Sequence, residues 1–260
     1  MNSKLLFIIL AFCAYTNLVA QKKGISAANA HSHNDYLQPK PFHLAYQHRF
    51  GSLEADIFFR NDSLFVAHEK AEISSGRTFE ALYLNPILEV CKANSGAVYP
   101  DTTRHLQLLI DLKTPYSPTL KTLVRQLDPY RDFWYPRGKV HIVISGNTPP
   151  PAEFSDYPGY IFFDGRPETG YTGNELTRVG LISQSYLRYS TWKGQGVPPP
   201  DDIQRLKDAI AIAHRQNKPF RFWANPDTPE GWDMLIGLKV DYINTDRIEA
   251  LAEYLQKRNR

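Results

Sequence analysis

The sequence predicts an α/β protein, a (β/α)8 TIM barrel. Three observations predict it. The chain has 260 residues, the length of a single α/β barrel. Short apolar segments rich in β-branched and aromatic residues recur eight times along it. Helical patterns lie between several of them, and strand–helix alternation implies a parallel sheet closed on itself.

The expected strands, in order, are Ile25 to Ala30, Ser52 to Phe58, Leu106 to Leu112, Val140 to Ser145, Tyr160 to Phe163, Gly180 to Gln184, Phe220 to Ala224 and Asp241 to Asn244. Asp62 to His68 reads as an extra strand returning after the second. Ile203, Leu206, Ile210 and Ala213 repeat at helical spacing after the capping candidates Asp201 and Asp202, and Asn217-Lys218-Pro219 stops that run. Ile248, Leu251 and Leu255 define a C-terminal helix in the same way. The helices after the fourth and fifth strands look short. The proline runs at 149–151 and 198–200 are loops, because the same alternation continues beyond each. Residues 21–260 therefore form one domain.

Composition narrows the function. Hydrophobic residues make up 42% and charged residues 22%, enough for a large core and against disorder. Net charge is +3, with no dense Lys/Arg run, so nucleic acid is not an expected partner. The N-terminus reads as a signal peptide over residues 1–20. Lys4 precedes the apolar run Leu5 to Ala14, and Leu18-Val19-Ala20 precedes Gln21. That run is too short to span a bilayer, and Phe12 before Cys13 argues against a lipoprotein anchor. A secreted or periplasmic protein without a transmembrane segment is expected. Cleavage leaves Cys91 alone, so neither an internal disulfide nor a cysteine metal site is expected. Oligomeric state is not legible.

Barrel enzymes carry their chemistry at the C-terminal strand ends. Polar residues crowd there: His31-Ser32-His33-Asn34-Asp35 after the first strand, Glu54 and Asp56 on the second, Asp111-Leu112-Lys113 on the third, Asn244-Thr245-Asp246 on the last. Glu54 and Asp56 are two apart, so both carboxylates share one face. Two like charges inside a barrel repel and lose solvation, and a divalent cation removes both problems. Oxygen donors suit Mg²⁺ or Ca²⁺, and Asp111 from the neighbouring strand completes the expected set. Lys113 shares the face of Asp111. It either meets an anionic substrate oxygen or simply pairs with Asp111. His31 and His68 are the expected proton-transfer pair, with His33 competing for the first role. Asn34 is placed on the substrate.

The chain resembles the phosphatidylinositol-phospholipase-C-like phosphodiesterase superfamily, which includes glycerophosphodiester phosphodiesterases and sphingomyelinase D. Within it the resemblance points to the branch containing the fungal "altered inheritance of mitochondria protein 6". It rests on His31-Ser32-His33-Asn34-Asp35-Tyr36, Gly51-Ser52-Leu53-Glu54-Ala55-Asp56, Val66-Ala67-His68-Glu69, Leu109-Ile110-Asp111-Leu112-Lys113 and Asp241-Tyr242-Ile243-Asn244-Thr245-Asp246. It implies a metal-dependent phosphoric diester hydrolase acting on a glycerophosphodiester or lipid-headgroup substrate. His31 and His68 match the family's catalytic histidines, Glu54, Asp56 and Asp111 its metal ligands, and Lys113 its lysine. Glycerophosphodiester phosphodiesterases usually show His-Arg-Gly at the first motif, where Ser32 and His33 follow His31 here. Asp111 stands where they usually carry Glu, as in sphingomyelinase D. The missing arginine removes an expected phosphate contact. The resemblance also implies that Trp223, ending the seventh strand, is an aromatic wall of the site; core packing is the alternative. Two rival readings are a His-x-His metal-dependent amidohydrolase or phosphomonoesterase barrel, and an inactive barrel that binds a glycan or lipid headgroup.

Overall fold

The computed structural model describes residues 24–258. The signal-peptide reading of residues 1–20, with Cys13, lies outside them. Among the described residues no helix is long and apolar enough to cross a membrane.

Eight parallel strands run in the order β8-β7-β6-β5-β4-β2-β1-β9. They are β1 (Ala30–Ser32), β2 (Ser52–Arg60), β4 (Leu106–Leu112), β5 (Val140–Gly146), β6 (Ile161–Gly165), β7 (Val179–Ser185), β8 (Phe220–Trp223) and β9 (Ile243–Thr245). The return strand β3 (Ser63–Val66) pairs antiparallel with β2, as expected. The ends of the sheet meet where Arg221 of β8 bridges Tyr242, just before β9. There the Asp241 and Tyr242 N–H groups donate to the Phe220 carbonyl at 3.0 and 3.2 Å, closing the barrel.

The first and last strands are displaced from their expected bounds for a visible reason. Ile25 to Ala30 shortens and shifts to β1, because Ala27–Asn29 curl into a 3₁₀ turn. The Ser26 hydroxyl accepts from the Ala28 N–H and the Asn29 side chain from the Ser26 N–H, a local alternative to strand pairing. The last strand begins at Ile243 rather than Asp241. The Asp241 carboxylate is occupied by the Phe220 N–H and by His214 at the end of the preceding long helix.

Among the described residues seven α-helices accompany the strands: α1 (His43–Gln47), α2 (Asn85–Ala93), α3 (Tyr116–Leu127), α4 (Gly173–Thr177), α5 (Pro200–Arg215), α6 (Pro229–Leu238) and α7 (Ile248–Arg258). After β5 only a 3₁₀ turn forms, and α4 after β6 spans five residues, so the fourth and fifth crossovers are short. Helices α5 and α7 bury the stripes their spacing predicts: Leu206, Ile210 and Ala213 on one, Ile248, Leu251 and Leu255 on the other.

The register decides what enters the barrel. Ser52, Glu54 and Asp56 lie beside Gln107, Leu109 and Asp111, which lie beside His141, Val143 and Ser145. Alternate residues such as Ala55, Ile110 and Ile144 join the core under the helices. Inside, Leu109, Val143 and Leu181 pack with Phe162 and Tyr242 as an apolar plug. At the N-terminal end His105 and His141 hydrogen-bond at 3.0 Å under the stacked Tyr135 ring. The plug denies water a path through the barrel, so the polar groups above it form a cavity open at the C-terminal end.

Candidate active site

That cavity has a volume of about 270 Å³. Its walls include His33, Asn34, Glu54, Asp56, His68, Asp111, Lys113, Arg166, Arg221 and Trp223. All the residues expected from sequence reach it except His31.

His31 lies beneath the floor, fully buried. Its Nδ1 is 2.7 Å from Ser52 Oγ, and its Nε2 faces Arg221 Nη1 and, at 3.1 Å, Glu54 Oε2. A guanidinium only donates, so Nε2 accepts and the ring proton sits on Nδ1. Burial, reinforced by the Arg221 charge, pushes the His31 pKa down to about 3 against the pull of Glu54. At neutral pH His31 is a neutral, committed imidazole. It supports the floor and has no nitrogen free to exchange a proton with a ligand.

His33, two residues on along the same face, reaches the cavity. Its Nδ1 is 2.8 Å from Asp246 Oδ1. Burial works against its protonation, but the Asp246 hydrogen bond and the Glu54 charge outweigh it and raise the pKa above the ordinary value. The carboxylate holds the Nδ1 proton and leaves Nε2 to the cavity. Asn34 adopts φ 47°, a left-handed conformation that Asn tolerates. Its side-chain nitrogen lies 3.0 Å from His33 Nδ1 and 3.2 Å from Asp246, and its oxygen accepts from the Tyr36 hydroxyl at 2.8 Å. Asn34, expected on the substrate, thus also braces His33. His68 follows β3 at the cavity rim, half exposed, with Nδ1 3.6 Å from Glu69. Asp35 is structural. Fully buried, it accepts from Ser32, the Phe42 N–H and Tyr83, fixing the turn after β1. Burial lifts its pKa to about 6.

The acids occupy one wall. Glu54 is ion-paired with Arg221 at 2.9 Å. Burial disfavours its charge, yet its contacts with His31 and Arg221 hold its carboxyl well below the usual range. Asp56 and Asp111 are register partners on adjacent strands. Lys113 Nζ lies between them, 2.9 Å from Asp56 and 2.6 Å from Asp111, so the pairing alternative for this lysine is the one seen. Burial opposes the Lys113 charge, but the two aspartates raise its pKa. Tyr36 donates to Asp56 Oδ2 at 2.6 Å, whereas Asp56 Oδ1 is buried with no hydrogen-bond partner among the described residues. Burial first, then the Glu54 charge, pushes Asp56 up to about 7. Gly146, with φ +74°, leaves room at this wall. A Cβ there would sit 2.7 Å from Asp111 Oδ1.

Among the described residues no three His, Cys, Asp or Glu side chains converge as they stand on a metal position. The chemistry of the donors nevertheless fits a divalent cation. They are all oxygens, Asp56 keeps an orphaned one, and the neutralising charge is now supplied by a lysine.

Sequence reading missed four contributors. Arg221 lies between Phe220 and Phe222 on β8, and a cation inside an apolar strand was its only signal. Arg166 follows β6. Asp164, whose side chain is fully buried, holds Arg166 at 2.8 Å and accepts from Ser145 and Ser183. Tyr36 sits in a quoted motif without an assigned role. The His-x-His reading gains no support, because His31 and His33 are divided between floor and cavity.

A barrel with paired acids, a lysine and a carboxylate-held histidine at its C-terminal mouth has its polar groups where barrel enzymes carry their sites. Residues 20–164 match the AIM6-like phosphodiesterase domain, more than half of the chain, and the chain belongs to that family. It is 28% identical over 268 residues to "altered inheritance of mitochondria protein 6 homolog" of Arthroderma benhamiae, covering 89% of this chain and 85% of that protein. It is 29% identical to "altered inheritance of mitochondria protein 6" of Eremothecium gossypii, covering 86% of this chain and 68% of the relative. In structure it is similar to a glycerophosphodiester phosphodiesterase from Agrobacterium tumefaciens. The TM-score is 0.51 at 14% identity, over 86% of this chain and 97% of that one, a likeness of fold. The matched domain ends at Asp164, so Arg166, Arg221 and Asp246 lie beyond it.

Proposed function

We propose that the protein is a secreted or periplasmic phosphoric diester hydrolase that acts on a small or lipid-headgroup phosphodiester, such as a glycerophosphodiester or lysophospholipid. One observation carries the reading. Three carboxylates, one lysine and two histidines with a nitrogen free for a ligand surround a single cavity, and the apolar plug closes its base.

Glu54, Asp56 and Asp111 would hold one divalent cation, Mg²⁺ or Ca²⁺. When bound it supplies positive charge to a phosphoryl oxygen and to an attacking oxygen. The chain's own residues do the rest. His33 accepts a proton at Nε2, and Asp246 stabilises the imidazolium that forms. This proposal moves the first catalytic role from His31 to His33, because of these two only His33 lines the cavity. His68, at the rim, donates to the leaving group. Lys113 opposes the charge that builds on the phosphoryl oxygens, and Trp223 covers the mouth. The attacking group belongs to the substrate. Ser145, the serine on the wall, gives its hydroxyl hydrogen to Asp164, a carboxylate already held by Arg166 and Ser183. No base remains to activate that serine.

A hydroxyl beside the phosphodiester attacks without a second encounter and gains from proximity, giving a cyclic phosphate as intermediate or product. The test compares a diester bearing a free neighbouring hydroxyl with its deoxy analogue. The hydroxylated substrate is expected to be cleaved much faster, with a cyclic phosphate signal in phosphorus NMR. Equal rates and no cyclic species would reject this route.

A further inference from the structure

The cavity is polarised. Its acids stand on β2 and β4, while two guanidinium groups stand on β8 and just after β6, Arg221 with one nitrogen on Glu54. Arg221 pairs in register with Ser183 of β7, and Ser183 Oγ lies 3.3 Å from Arg166 Nη1, so the two arginines converge around one serine.

Each arginine is held by one nitrogen only. Arg166 Nη1 bonds Asp164 at 2.8 Å and the Gly165 carbonyl at 2.9 Å. Its Nε and Nη2 make no hydrogen bond among the described residues, and the side chain is 33% exposed. Arg221 Nη1 serves His31, Glu54 and Asn244, while its Nε is buried with no partner among the described residues. Arg221 as a whole is 3% exposed. A buried donor without an acceptor is costly, and a free guanidinium edge on a concave wall has the geometry for an oxyanion. The nearest carboxylates do not fill that role, since Asp164 and Glu54 already hold the other nitrogens.

We infer that Arg166 and Arg221 form an oxyanion-binding wall for the phosphoryl oxygens of a phosphate ligand. The ligand's identity as a phosphodiester rests on the function proposed above, but the wall itself does not. Planar forks suit tetrahedral phosphate, and about 270 Å³ accommodates a phosphate with a small organic substituent.

The probe is inorganic phosphate, titrated by calorimetry into the mature chain with and without Mg²⁺. Wild type is expected to bind it, and Arg166→Gln to bind it at least about tenfold more weakly, the loss expected for charge-assisted hydrogen bonds. Arg166→Lys is expected to recover part of that loss, because charge returns without the fork. Arg221→Lys tests the second arm, with near-ultraviolet circular dichroism confirming its fold. Arg137→Gln removes an exposed arginine paired with Asp132 away from the cavity and is expected to change nothing. No binding by wild type under either condition, or equal affinity in wild type and Arg166→Gln, overturns the inference. If Arg166→Gln loses phosphate while no protein cleaves any diester, the wall stands and the phosphodiesterase reading falls.

Discussion

Asp56 gives the sharpest handle on this site, because its cost to the fold depends on pH in a calculable way. Its side chain is 2% exposed, and its pKa is raised from 3.8 to about 7 by burial and by Glu54. Below pH 3.8 the carboxyl is protonated in both folded and unfolded chains and contributes no difference. Between there and about 7 the unfolded chain releases the proton while the folded chain keeps it, so stability falls as pH rises. At about 1.4 kcal/mol per pH unit, the loss accumulated by pH 8 reaches up to about 4 kcal/mol. Asp56→Asn removes the titration while keeping shape and an acceptor for Tyr36. It is expected to be more stable than wild type at pH 8, by roughly 2 kcal/mol or more in the presence of chelator, with the advantage shrinking to near zero at pH 4. Urea unfolding at pH 4, 6 and 8 measures it directly. Adding Mg²⁺ at pH 8 is expected to stabilise wild type but not Asp56→Asn. An Asp56→Asn chain no more stable than wild type at pH 8, or one whose advantage is the same at every pH, would refute the electrostatic account of this wall.

The histidines separate by consequence. His33→Ala is expected to lower turnover at least ~10²-fold with the fold intact. His31→Ala is expected to cost roughly 2–4 kcal/mol of stability, because it strands Ser52 and Arg221, and thermal unfolding distinguishes the two. Excess chelator is expected to abolish hydrolysis and added Mg²⁺ or Ca²⁺ to restore it; full activity in chelator would remove the cation from the proposal. N-terminal sequencing of protein collected outside the cytoplasm is expected to begin at Gln21, and an intact Met1 there would overturn the signal-peptide reading.

The barrel was legible because its signals are local. Leu106 to Leu112 is a strand over the very residues its apolar run marks, and the stripes of α5 and α7 follow from spacing alone. Period-two alternation put Glu54 with Asp56, and Asp111 with Lys113, on common faces, and the structure keeps them there. The strand bounds that shifted did so where a side chain offered the backbone another partner. Ser26 and Asn29 did this at the first strand, Asp241 at the last.

Depth and pairing were decided elsewhere. The alternation that turns His31 inward also turns His33 inward, and sequence spacing carries no record of how far each lies below the mouth. Only the register of β1 against β2 and β9 sinks His31 beneath Glu54 and lifts His33 to Asp246. Arg221 meets Glu54 across 167 positions of chain, a contact created by closing the barrel. The sequence by itself determined the fold class and the chemical types at the strand ends, because short-range periodicity encodes both. The tertiary structure alone decided which histidine meets the cavity and which cations face the acids, because those depend on stagger and closure between strands far apart in the chain.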